Sequence, residues 1–135
     1  MTTHSRNERG QSVSLFVLLM TAALILTAGL VVDGGQQVSA SSRAEAAAAG
    51  AARAAENAVA TQALAGNEST GAAVRAAKTY LAGSGVAGSV SITSGVVTVR
   101  TEDTAETVFL SVLGITEVHA RGFAEANIVA TGQVR

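Results

Sequence analysis

The sequence predicts an α+β protein: a long N-terminal helix, a short second helix, and then a small antiparallel sheet unit of ββαβ type. Three observations carry this expectation. Gln11–Val32 is a run of 22 residues without a charge. Residues 36–65 hold 14 alanines, one glycine and no proline. Val90, Ile92, Val97 and Val99 alternate symmetrically about Ser94-Gly95.

Each element follows from the residues in turn. At about 1.5 Å per residue a 22-residue helix spans roughly 33 Å, close to the ~30 Å hydrocarbon core of a bilayer. Arg6 and Arg9 flank its start, whereas beyond Asp33 no basic residue occurs until Arg43. The positive-inside bias then predicts a cytoplasmic N-terminus and an extracytoplasmic C-terminal part in a single-pass membrane protein. A cleaved secretory signal is the competing reading, because Val38-Ser39-Ala40 resembles a small-x-small cleavage site. Against it, the apolar run exceeds the ~7–15 residues of a signal h-region, and the site lies past Asp33. The expected organisation is a tail over 1–10, a transmembrane helix over 11–32, an alanine-rich helix over 33–65 and a small α+β domain over 66–135.

Alanine is the best intrinsic helix former, so the spanning helix is expected to continue to about Ala65, with Gly34-Gly35 as its weak joint. Ala44, Ala48, Ala51, Ala55 and Ala58 fall on one stripe at helical spacing. Such a stripe gains by very close packing, against a partner helix or against the chain's own distal domain; the alternative is a solvated helix held by propensity alone. Gly66–Gly71 reads as a turn, Ala72–Ala82 as a helix and Gly83–Gly88 as its breaker. A two-residue loop at Ser94-Gly95 pairs Ile92 with Val97 and Val90 with Val99, all on one face. Thr104–Leu113 is expected to be helical, with Asp103 or Thr104 as N-cap, Glu106 in the first turn and an apolar stripe of Val108, Phe109, Val112 and Leu113. Gly114 suits the left-handed position after it, with Ile115 closing back onto Leu110. A last strand, about Thr116–Ala130, puts Val118, Ala120, Gly122, Ala124, Ala126 and Ile128 on one face, and His119, Arg121, Glu125 and Asn127 on the other.

Composition narrows the function. A net charge of −1 and 14% charged residues do not suit a nucleic-acid binder, which needs clustered Lys and Arg. The chain has no cysteine, hence no disulfide and no thiolate metal site. His4 and His119 would lie on opposite sides of the membrane and cannot share a site. Gly83-Ser84-Gly85-Val86-Ala87-Gly88 matches G-x-G-x-x-G in letters, but it follows a helix and precedes a strand, the reverse of a dinucleotide-binding turn. Glu102, Asp103 and Glu106 read as a helix-start acidic cluster. Neither a catalytic constellation nor a cofactor, metal or small-molecule site is expected. Membrane lipid is the expected surrounding.

The residues left for contact are few. Ala23, Thr27 and Gly29 are small enough for close helix approach within the membrane. Asp33 either marks the exit into the headgroups or pairs with a basic group on a neighbouring subunit. Phe123 projects among charges on the polar face of the last strand, as a contact residue or as an ordinary surface aromatic.

Arg9-Gly10-Gln11-Ser12-Val13-Ser14, the apolar run, Gly29-Leu30-Val31-Val32-Asp33-Gly34-Gly35 and the alanine-rich Arg43–Ala65 together resemble the N-terminal segment of TadE/TadG-like proteins of the tight-adherence (Flp) pilus assembly system, the actinobacterial members most closely. Val108–Ala126 resembles the distal part of such proteins less specifically. The resemblance implies a bitopic, minor pilin-like or assembly component, without enzymatic activity, whose partners are pilus or secretion-system membrane proteins or further copies of itself. It also implies Gly10 and Gln11 as the processing point. Pilin precursors of this type carry glutamate at the fifth position after the cut; here that position is Leu15, which favours an anchored accessory role over a filament subunit. A membrane-anchored extracytoplasmic binding module unrelated to pili is the alternative.

Overall fold

In the computed structural model, which describes residues 8–65 and 70–128, the long helix α1 runs without interruption from Glu8 to Leu64. It passes straight through Gly34-Gly35, so the apolar run and the alanine-rich stretch form one rod. A second helix, α2 (Thr70–Ser84), precedes three antiparallel strands, β1 (Ala87–Thr93), β2 (Val96–Glu106) and β3 (Glu117–Asn127), in sheet order β1-β2-β3. The fold is α+β, as the sequence pattern predicts. The turn at 66–69, His4 with the N-terminal tail, and positions 129–130 of the expected last strand lie outside the described residues.

Most of the covered surface of α1 lies in its distal half, with Gly29 and Asp33 covered as well. Ala40, Ala44, Ala48, Ala51, Ala55 and Val59 are buried, as are Ala47 and Ala52 beside them. The alanine stripe therefore packs against the chain's own domain. Its small side chains let a strand backbone come very close. The Thr101 hydroxyl donates to the Ala44 carbonyl at 2.7 Å, although that carbonyl already belongs to the helix. Opposite, Gly122 has no room for a side chain, since a Cβ would fall 2.3 Å from the same carbonyl oxygen. Across the other flank, α2 buries Ala73, Ala77 and Leu81, a four-residue spacing that lines one face of a helix. Tyr80 of α2 lies over Gly50, where any Cβ would strike its ring. Where the bulk of the core lies, Val97 and Val99 of β2 are fully buried between the helices and β3.

The hairpin register is the expected one, with Ile92 opposite Val97 and Val90 opposite Val99. Ser94 (φ 51°) and Gly95 (φ 77°) both sit in the left-handed region, which makes the connection a type I′ turn whose twist suits the strands. Replacing Gly95 with alanine forces a Cβ into that region and is expected to cost about 1 kcal/mol. Thermal unfolding of the full chain in detergent checks this.

The expected helix at Thr104–Leu113 does not form. β2 instead continues to Glu106, paired with β3 up to the rung Glu106–Glu117, and only Leu110–Leu113 makes one tight 3-10 turn. The ladder pairs residues 101–106 with 117–122 of β3 and buries Thr101 and Ala105, the latter against Ala40 and Ala120. A helix would forfeit both. Glu102, Asp103 and Glu106 consequently lie along a strand rather than at a helix start. The tight turn ends as the sequence predicts: Gly114 is left-handed (φ 87°), and the Ile115 N–H donates to the Leu110 carbonyl at 3.0 Å.

Candidate functional site

The described residues present a rod, a collar beside the rod, and a polar sheet face. The collar is the β2–β3 connection, residues 107–116, which leaves the end of the sheet and runs down beside the apolar half of α1. Two residues of α1 hold it. At Gly29 the missing side chain makes room for Phe109, whose ring would lie 2.4 Å from an added Cβ. One turn further on, Asp33 is 2% exposed and its carboxylate accepts three backbone N–H groups, from Val108 at 2.8 Å, Phe109 at 3.0 Å and Leu110 at 2.7 Å. These are orphan donors at the start of the tight turn, and a carboxylate is their natural acceptor. Burial works to raise the Asp33 pKa, but the three N–H donors outweigh it and hold the carboxyl below its ordinary value. Its own chain thus supplies three donors to this carboxylate.

The remaining contact candidates are open. Ala23 and Thr27 lie on the exposed surface of α1, roughly opposite Gly29 at about 100° per residue. The Thr27 hydroxyl donates back to the Ala23 carbonyl at 2.8 Å, so it brings no unmet polar group to an apolar setting. Gly10 and Gln11 are exposed in the first turns of α1. On the outer sheet face Phe123 stands opposite Arg100, with the guanidinium carbon 5.6 Å from the ring centroid, a cation–π contact. His119 completes that face, 3.9 Å from Glu102 and 3.3 Å from the Thr104 hydroxyl. On the rod's flank, Arg43 pairs with Asp103 at 2.8 Å and also donates to Ser39, tying α1 to β2. Sequence reasoning missed this pair and the Asp33 acceptor role alike, because each joins residues 60 or more positions apart.

One helix that carries both an uncharged span and the docking stripe for a distal domain is the arrangement against which the family comparison falls. Residues 10–67 match the putative Flp pilus-assembly TadE/G-like family. The matched TadE/G-like segment is therefore almost the whole of α1, both the apolar run and the alanine stripe. α2 and the sheet lie beyond it, so Val108–Ala126, expected to resemble the distal part of such proteins, is not within the match. No curated protein and no solved structure matches the chain. The same helix is long and apolar enough to cross a membrane.

Proposed function

We propose that this protein is a single-pass, membrane-anchored, minor pilin-like or assembly component of a Tad (Flp) pilus or a related secretion apparatus, acting by protein–protein contacts. The N-terminus is cytoplasmic and the domain extracytoplasmic. The observation that carries this reading is the coincidence of the TadE/G-like segment with α1: the residues matched to a pilus-assembly family are the ones that combine an uncovered apolar rod with a domain-bearing stripe. Within the bilayer the open Ala23–Thr27 surface offers lateral contact to another helix. Outside it, Phe123 and Arg100 supply an exposed aromatic and cation, residue types that anchor protein contacts.

Affinity purification of the full chain from solubilised membranes tests the proposal. Recovery of the pilus assembly ATPase, platform or pilin proteins is expected, and Phe123→Ala is expected to reduce that recovery. Absence of all of them, with binding to envelope material retained, would instead support an anchored binding module. The intact mass of the purified protein reports separately on a cut between Gly10 and Gln11 or after Ala40.

A further inference from the structure

We propose that residues 107–116 are immersed in the lipid leaflet on the domain's side of the bilayer, so that the sheet is held to the membrane at two points rather than by α1 alone. This rests on α1 being a membrane span, and the geometry then leaves the collar little choice. Phe109, Val112 and Leu113 share an apolar groove with Ile25, Leu26 and Leu30 of α1, which lie inside the uncharged run. Leu26 is seven residues below Asp33, or about 10 Å along the helix axis, so residues beside it reach that depth too.

The collar is built for such a place. Thr107-Val108-Phe109-Leu110-Ser111-Val112-Leu113-Gly114-Ile115-Thr116 contains no charge, and charge resumes on both sides at Glu106 and Glu117, which face each other on the last rung of the sheet. Val112 and Leu113 are 85% and 74% exposed, and Val108 and Ile115 about half. Exposed side chains of this kind are expensive in water and stabilising in lipid. Non-helical backbone meets hydrocarbon only if its polar groups are satisfied within the protein. Here they largely are. The N–H groups of 108–110 donate to Asp33, those of Val112, Gly114 and Ile115 to carbonyls of the tight turn, and that of Thr107 to the Thr116 carbonyl. The hydroxyls of Thr107 and Ser111 donate to the carbonyls of Ile115 and Val108. Lipid acyl chains are therefore the occupant the chemistry selects, at the shallow depth of about 5–10 Å typical of interfacial elements.

The chain's lack of cysteine makes the test direct. Single-cysteine variants Val112→Cys, Leu19→Cys and Ser91→Cys of the full chain are labelled with an environment-sensitive fluorophore and reconstituted in phosphatidylcholine–phosphatidylglycerol vesicles. The expected result is that a spin-labelled phosphatidylcholine bearing its quencher near the headgroup quenches the Val112 probe at least about twofold more than the Ser91 probe, one bearing it near the chain terminus quenches the Leu19 probe, and aqueous iodide quenches Ser91 most. This pattern should hold at every protein-to-lipid ratio. Iodide quenching at Val112 with lipid quenching at Leu19 overturns the collar's insertion and leaves the span standing. Loss of lipid quenching at both positions overturns the span, and the collar's insertion with it. Lipid quenching at Val112 that disappears as the protein-to-lipid ratio rises overturns it in favour of a second copy covering the groove.

Discussion

Gly122→Val is expected to be the most damaging single substitution in the domain. The helix–sheet contact is made at backbone distance: a Cβ at 122 would lie 2.3 Å from the Ala44 carbonyl oxygen and 2.5 Å from the Thr101 hydroxyl. Neither neighbour is the flexible end of a long side chain. The carbonyl belongs to a helix turn locked by its own hydrogen bonds, and the hydroxyl is bonded to that carbonyl. The strand must therefore lift off the helix. That opens the contact of Ala44 and Ala48 with β3 and breaks a buried hydrogen bond. Overpacking of this kind costs about 3 kcal/mol, a large part of the stability that a domain of this size has. Thermal unfolding of the full chain in detergent should show the sheet melting well before the wild type, while helical signal from α1 largely persists. A variant melting within a degree or two of wild type would show that the rod and sheet are not in backbone contact.

Asp33→Leu is expected to release the collar without unfolding the sheet. Three N–H donors lose their common acceptor, and leucine offers none in return. A buried donor left unpaired costs more than an ordinary hydrogen bond contributes. Amide exchange at Val108, Phe109 and Leu110 should accelerate by about 10-fold or more, with exchange in β1 unchanged. The pH dependence follows from the same contacts. Because the folded carboxyl titrates below its unfolded value, its contribution is fully present above the ordinary carboxylate range and is lost as pH falls through the lowered folded value. Protection of the three amides, taken relative to the intrinsic exchange rate at each pH, should therefore stay flat from neutral pH to about pH 5 and be lost only in stronger acid. A loss of protection near neutrality would contradict the lowered carboxyl.

Much of the architecture is legible in local pattern because it depends on local repeats. The uncharged run, the alanine stripe, the four-residue hairpin register and the small-residue alternation of β3 all sit within stretches whose period announces their partner face. The error at Thr104–Leu113 has a physical cause. Val108, Phe109, Val112 and Leu113 show helical spacing, but a single tight turn satisfies that spacing, while Thr101, Asp103 and Ala105 obey the period of a strand. The ladder to Glu117–Gly122 decided between them, and no local window contains it. Likewise nothing near Asp33 shows that it would accept N–H groups about 75 positions away, or that Gly29 makes room for Phe109. Those two residues read as contacts to other molecules because their own chain's claim on them is purely tertiary.

Protease protection in sealed, right-side-out membrane vesicles tests the central claim most directly. If α1 spans the bilayer and carries the sheet on its outer side, added protease should remove the domain and leave a membrane-embedded fragment that alkaline washing does not extract. A domain digested only after the vesicles are opened, or a full-length chain that washes away in soluble form, would contradict it.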